Sequence, residues 1–173
     1  MNTIDAILSR RSIRKFKEKE VSDEDIRTIL KAGMSGPSCV NARDWSFIVV
    51  KNKDTLNKMA DANGRPAEPL RNAAFGILVL GDLDRAFTYA KDYFTIDASI
   101  ACQNMILAAE DLGIGSVWLG TWPQLDRVEN QRKLFNLPDS VIPHSLLAFG
   151  YPDEEPEKKG PEFEEDRVHY EKW

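Results

Sequence analysis

Cysteine and histidine are scarce in this chain. Two cysteines, Cys39 and Cys102, cannot build a disulfide framework or a cysteine-rich zinc centre. Two histidines, His144 and His169, stand far apart and argue against a histidine-rich metal site. Long apolar runs are missing as well: none reaches the roughly 18–20 residues needed to cross a bilayer, so no membrane association is expected. At the N-terminus the apolar positions 4–8 are broken by Asp5 and followed by arginines. No signal-peptide core is recognisable, and a cytoplasmic protein is the expectation. There is no Gly-x-x-x-x-Gly-Lys-Ser/Thr phosphate loop, and no Gly-x-Gly-x-x-Gly opening a helix. No evident set of nucleophile, acid and base stands out. If the chain is an enzyme, a cofactor is expected to supply the reactive atom.

What is present is ordinary for a compact domain: 173 residues, 42% hydrophobic and 29% charged. A chain of this length forms one domain and buries roughly 70% of its unfolded surface. The net charge of −5 hides an asymmetry. Residues 1–20 carry a net +3 and residues 151–173 a net −5, around a mildly acidic body. That pattern speaks against nucleic-acid binding and leaves room for a small anionic ligand at the basic head.

Helices and strands alternate along the chain. Thr3 is positioned to cap a short helix bearing Ile4, Ile7 and Leu8, and a basic extended stretch, 10–16, follows. Ser22 opens a capping-box-like start, with Ile26, Ile29 and Leu30 as the apolar stripe and Gly33 as the stop. Residues 34–44 read as a loop, 45–50 as a strand, 54–62 as a helix and 73–80 as a buried strand. Residues 94–112 are apolar on nearly every side, which predicts a helix in the middle of the core. A strand at 116–119, a helix at 125–135 and a last core strand at 145–149 complete the domain, 1–150. From Tyr151 the composition turns acidic and proline-rich, yet the chain ends Val168-His169-Tyr170-Glu171-Lys172-Trp173. Such a segment cannot build a core alone, so 151–173 reads as an arm packing on another surface.

Three motifs could carry binding. In Arg10-Arg11-Ser12-Ile13-Arg14, an extended backbone puts Arg10, Ser12 and Arg14 on one side, where guanidinium forks and a hydroxyl suit a phosphate or an electron-rich carbonyl. The alternative is a solvated basic strand. Gly36-Pro37-Ser38-Cys39-Val40-Asn41 can present hydroxyl and amide groups to a ligand, or be a plain loop. Gly113-Ile114-Gly115-Ser116-Val117-Trp118-Leu119-Gly120 joins a helix end to a strand, and Gly120 would let backbone approach a flat ligand; the alternative is a tight turn into a core strand. Cys39 reads as a bland loop residue, Cys102 as packing and His144 as structural.

Taken in order, these segments resemble the FMN-dependent nitroreductase family. Ile4-Asp5-Ala6-Ile7 with Arg10-Arg11-Ser12-Ile13-Arg14-Lys15-Phe16 is similar to its opening, and Gly36-Pro37-Ser38 through Asn41 and Trp45 to its second block. Asp97, Gln103-Asn104-Met105, Leu107-Ala108-Ala109 and Gly113 to Trp118 look like its central helix and flavin-edge strand. Gly150-Tyr151-Pro152, Lys158-Lys159 and the terminal segment resemble its C-terminal arm.

The resemblance implies an α+β, three-layer fold of nitroreductase type, with a mixed central sheet flanked by helices and a C-terminal arm exchanged in a homodimer. It implies FMN at the subunit interface and no catalytic side chain, because flavin N5 carries the chemistry. Arg10 and Ser12 would serve the phosphate, Arg11 the ribityl chain or ring, and Arg14 the side of the ring where negative charge gathers on reduction. Pro37, Ser38 and Asn41 would come from the neighbouring subunit, and Trp118, Leu119 and Gly120 would lie by the ring. Lys159 would hold the phosphate, but Gly160-Pro161-Glu162 stands where the family often places an arginine. The implied activity is transfer of hydride from NADH or NADPH, by a ping-pong mechanism, to a nitroaromatic, quinone or similar electron-poor small molecule. An enone reductase, dehalogenase or flavin-modifying enzyme of the same superfamily, or a non-catalytic flavin-binding protein, is the alternative.

Overall fold

The computed structural model describes residues 2–156 and 163–173. Four strands, β1 (Trp45–Val50), β2 (Phe75–Asp82), β3 (Gly115–Gly120) and β4 (Val141–Gly150), form one sheet in the order β1-β2-β4-β3. Every neighbouring pair of strands is antiparallel. Among the described residues, parallel pairing occurs only at an isolated bridge between Ser116 and Ser12, the latter outside the four strands. Five helices flank the sheet: α1 (Thr3–Ser9), α2 (Asp23–Met34), α3 (Lys53–Asn63), α4 (Phe94–Asp111) and α5 (Leu125–Phe135).

Alternation along the strands sends side chains to two separate cores, which makes the three layers. On one face Leu78, Leu80, Val117, Leu119, Leu146 and Ala148 meet Leu56, Met59 and Ala60 of α3, with Leu134 and Phe135 of α5 packed against them. On the other face Phe75, Ile77, Val79, Leu147 and Phe149 meet Ile26 and Ile29 of α2 and Ala98, Cys102, Met105 and Ala109 of α4. Phe75 and Phe149, directly opposite in register, stack with centroids 4.7 Å apart. The apolar run at 94–112 therefore becomes α4 with hardly any change of boundary.

Local chemistry moves several expected boundaries. Asn2, not Thr3, caps α1, its side-chain oxygen accepting from the Asp5 N–H at 2.9 Å. Ser22 caps α2 as expected, accepting from the Asp25 N–H. Gly33 does not end α2, which runs to Met34. A Cβ at Gly33 would lie 2.7 Å from Met105 Cγ, so this glycine serves the close packing of α2 on α4. Residues 65–72 form an unexpected 3-10 turn, and β2 starts two residues later than predicted. β4 starts four residues earlier, at Val141.

The described end of the arm, residues 163–173, is exposed throughout. Phe163, Tyr170 and Trp173 are exposed, Trp173 completely. The apolar stripe of α1 is also outside: Ile4, Ile7 and Leu8 are exposed and only Ala6 is buried. Among the described residues no helix is long and apolar enough to cross a membrane, and no group of three or more His, Cys, Asp or Glu could hold a metal ion.

Candidate functional site

Residues 10–16 cross the sheet at the end where β3 begins and β4 finishes. The Ile13 N–H donates to the Ser116 carbonyl at 2.9 Å, beside the Ser12–Ser116 bridge. Further on, Phe16 bridges Pro152, Lys17 N–H donates to the Tyr151 carbonyl (2.8 Å) and Asp153 N–H to the Lys15 carbonyl (2.9 Å). Two glycines make this crossing possible. A Cβ at Gly115 would stand 2.9 Å from Ile13, and one at Gly150 would stand 2.9 Å from Phe16. Ile13 and Phe16 thus press onto bare backbone and enter the first core. The Glu154 carboxylate accepts the N–H groups of Arg14 and Lys15, and these bonds, Arg14's first, hold its pKa below the usual range.

The three arginines of this segment differ. Arg10 closes α1 through its own N–H to the Ala6 carbonyl. Arg11 turns its guanidinium back onto the same helix end, donating to the carbonyls of Leu8, Ser9 and Arg10 at 3.0, 3.1 and 2.8 Å. Arg14 is exposed, its guanidinium 3.4 Å from the Ser12 carbonyl. A cavity of about 870 Å³ opens beside them, lined by Arg11, Ile13, Glu110, Gly115, Pro152 and Glu154 among others.

At the far end of β3, Trp118 packs edge-on against His144, Leu119 is buried and Gly120 is exposed. No atom lies within 4 Å of the place a Gly120 Cβ would take. Behind this open edge the Gly120 carbonyl is fully engaged. It accepts from Asn63 Nδ2 at 3.1 Å and from Arg127 Nη1 at 3.0 Å. Thr121 Oγ1 in turn donates to Asn63 Oδ1 at 2.9 Å. His144 is buried with its ring nitrogens facing Ser99 and Ser145, and burial pushes its pKa down to about 4. Cys102 is buried in the second core, and burial pushes its thiol pKa up, away from the thiolate.

The third motif sits elsewhere. Pro37 and Asn41 are exposed and Ser38 is half-buried in the loop between α2 and β1. Ser38 Oγ accepts the Arg43 N–H at 2.9 Å. Both Asp97 oxygens accept the Cys39 N–H, at 3.1 and 3.0 Å. Val40, Asn41 and Arg43 all take left-handed backbone, φ 46°, 58° and 52°. The buried Asp44 ends the loop with one carboxylate oxygen unpartnered within the protein. Burial first, then the charge of Asp97, pushes the Asp44 pKa up to about 6.

One chain therefore assembles Arg10, Arg11, Ser12, Arg14, Trp118, Leu119 and Gly120 along β3. It keeps Pro37, Ser38 and Asn41 away from them. Their loop packs on α4, where Cys39 meets Asp97, and leads into β1 at the opposite edge of the sheet from β3. Lys159 lies outside the described residues. Sequence reading missed Asn63, Thr121, Arg127 and Asp44. Asn63 reads as a helix stop before Gly64, and Arg127 falls within the 125–135 helix with no role of its own. No spacing rule relates either to Gly120.

The model of the Nitroreductase family matches residues 7–77 and 64–151. The chain belongs to the nitroreductase family. A Methanothermobacter thermautotrophicus protein provisionally named NADH dehydrogenase/NAD(P)H nitroreductase is 43% identical over 173 residues, spanning all of this chain and 88% of its own. The solved FMN-dependent nitroreductase from Clostridium difficile R20291 superposes with a TM-score of 0.89 at 30% identity, covering 98% of this chain and 99% of its own. The NADPH:FMN oxidoreductase of Vibrio harveyi, solved in complex with NAD+, gives a TM-score of 0.89 at 28% identity, covering all of this chain and 78% of its own. These three names are those of oxidoreductases. The residues matched by the family model take in all four strands of the sheet.

Proposed function

We propose that this chain is an FMN-dependent NAD(P)H oxidoreductase that works as a homodimer. The observation that carries the reading lies on β3. A basic segment is pinned across its start, and the strand ends in an edge at Gly120 bare of side chains. The donor set fits FMN. Arg10, Ser12 and Arg14 offer two guanidinium groups and a hydroxyl to a phosphate or an electron-rich ring edge. Arg11 braces the helix end from which they hang. On β3 it is Gly120 that supplies an open backbone edge for a flat ring system, while Leu119 is buried in the first core and Trp118 packs against His144 on the other face. Bound there, FMN would supply the redox chemistry between NADH or NADPH and an electron-poor small molecule, in a ping-pong cycle.

The homodimer reading rests on surface. The chain exposes 10507 Å², about 1,900 Å² more than the roughly 8,600 Å² of a compact monomer of its mass. Ile4, Ile7 and Leu8 of α1 and Phe163, Tyr170 and Trp173 of the arm lie within that surplus. A second copy would cover them, and its Pro37, Ser38 and Asn41 would complete the pocket that one chain leaves open. The test is anaerobic NADH and NADPH oxidation with a panel of nitroaromatics, quinones and activated alkenes. Parallel initial-rate lines with at least one acceptor are expected. Oxidation of neither nucleotide with any acceptor would overturn the assignment.

A further inference from the structure

We propose that Arg127 and Asn63, with Thr121, are positioning residues that fix the Gly120 peptide from behind and so preset the open backbone edge offered to the flavin. The inference rests on the FMN reading above. A carbonyl oxygen has two lone pairs, and Gly120 fills both with side chains from different elements, Asn63 at the end of α3 and Arg127 in the first turn of α5. The Asn63 amide has no freedom of orientation. A carbonyl can only accept, so its nitrogen must face Gly120, and its oxygen takes the Thr121 hydroxyl. Asn63 and Thr121 are almost completely buried, so water does not compete for these bonds.

The clasp continues on both sides. Arg127, Asn130 and Gln131 stand at i, i+3 and i+4 on one face of α5. Asn130 Nδ2 donates to the Ala62 carbonyl at 3.3 Å and Gln131 Nε2 to the Met59 carbonyl at 2.8 Å. These are carbonyls of the last turns of α3, and that of Ala62 is an orphan by the geometry of a helix end. Past Gly120, Trp122 N–H donates to the His144 carbonyl and Gln124 N–H to the Thr121 carbonyl. The Gly120 carbonyl is thus held on both lone pairs, while the space a Cβ would take stays open. Turning the 120–121 peptide would break two bonds at once. Arg127 also sets a guanidinium directly behind the Gly120 carbonyl, and it forms no ion pair among the described residues. A fixed cation there favours negative charge on the ring, which raises the reduction potential.

The experiment compares wild type, Arg127→Met, Arg127→Lys and Asn63→Leu. FMN is titrated into FMN-stripped protein, the midpoint potential of the bound flavin is measured, and the FMN-free proteins are melted. Arg127→Met keeps the stem and removes the donors. It is expected to bind FMN about tenfold more weakly and to lower the midpoint potential, with the FMN-free melt unchanged. Arg127→Lys should restore part of both. Loss of all FMN binding with an unchanged melt also supports the role. Asn63→Leu is expected to weaken binding and destabilise the FMN-free protein together. Unchanged affinity and potential in Arg127→Met, or an effect confined to the melt, would overturn the inference. Failure of wild type to take up FMN would instead overturn the reading on which it rests.

Discussion

Gly115→Ala probes how the basic segment is held. The added Cβ would meet Ile13 Cβ, Cγ1 and Cγ2 at 2.9, 2.9 and 3.0 Å, against roughly 3.5–4.0 Å for relaxed carbon contacts. Ile13 Cβ cannot rotate away, because it is fixed to the backbone. The segment itself must retreat by about 0.5–1 Å, stretching the Ile13 N–H bond to Ser116. Overpacking of this kind costs about 1–3 kcal/mol, and a weakened hydrogen bond up to about 1 kcal/mol more. The loss of glycine entropy in the unfolded chain returns about 0.4–1 kcal/mol. The net is a destabilisation of about 2 kcal/mol, or about 4–8 °C in Tm for a chain of this size. Because Arg10, Ser12 and Arg14 ride on the displaced segment, FMN affinity should fall with it. Thermal melts and FMN titration read both effects, with Gly120→Ala as a control that meets no atom within 4 Å and should melt like wild type. Relief in the double variant Ile13→Ala/Gly115→Ala, beyond the sum of the single changes, would show the contact directly. A Gly115→Ala protein as stable as wild type with unchanged affinity would refute the reasoning.

Two further predictions concern pH and the arm. Asp44 has a folded pKa raised to about 6, so the stability it leaves intact below about pH 4 is lost as pH rises to 6. His144 is lowered to about 4, so its contribution is intact above about pH 6.5 and lost as pH falls towards 4. The two slopes oppose each other across pH 4–6, each on the order of 1.4 kcal/mol per pH unit at most. Asp44→Asn should therefore expose a stability that climbs with pH over this window, and urea melts at half-unit steps check it. Deleting residues 157–173 should weaken self-association, read by sedimentation, while leaving the chain's own secondary structure intact by circular dichroism. A truncated protein that associates as tightly as the full chain would contradict the role of the arm.

Legibility in the sequence followed the range of the forces involved. α4, β1 and α5 are readable because apolar patterning is local. The start of β4 is not, because Pro143 and His144 look like a break. The structure accommodates them with a bulge: Val79 pairs with Ser145 and Leu80 with Pro143, leaving His144 as the extra residue. Gly33 was mistaken for a stop because its partner, Met105, is on another helix. The binding segments were visible as motifs, whereas the Asn63–Gly120–Arg127 clasp joins three distant positions by backbone carbonyls, which no side-chain pattern announces. Ser38 and Asn41 sit on a loop held by the long-range Cys39–Asp97 contact, which no local pattern announces.

The central claim, that the basic segment and the Gly120 edge together hold FMN, is tested most directly by the visible spectrum of the purified protein and of the supernatant after denaturation. The account predicts a yellow protein that releases FMN in equal number to its chains. A colourless protein that also takes up none from excess FMN would contradict it.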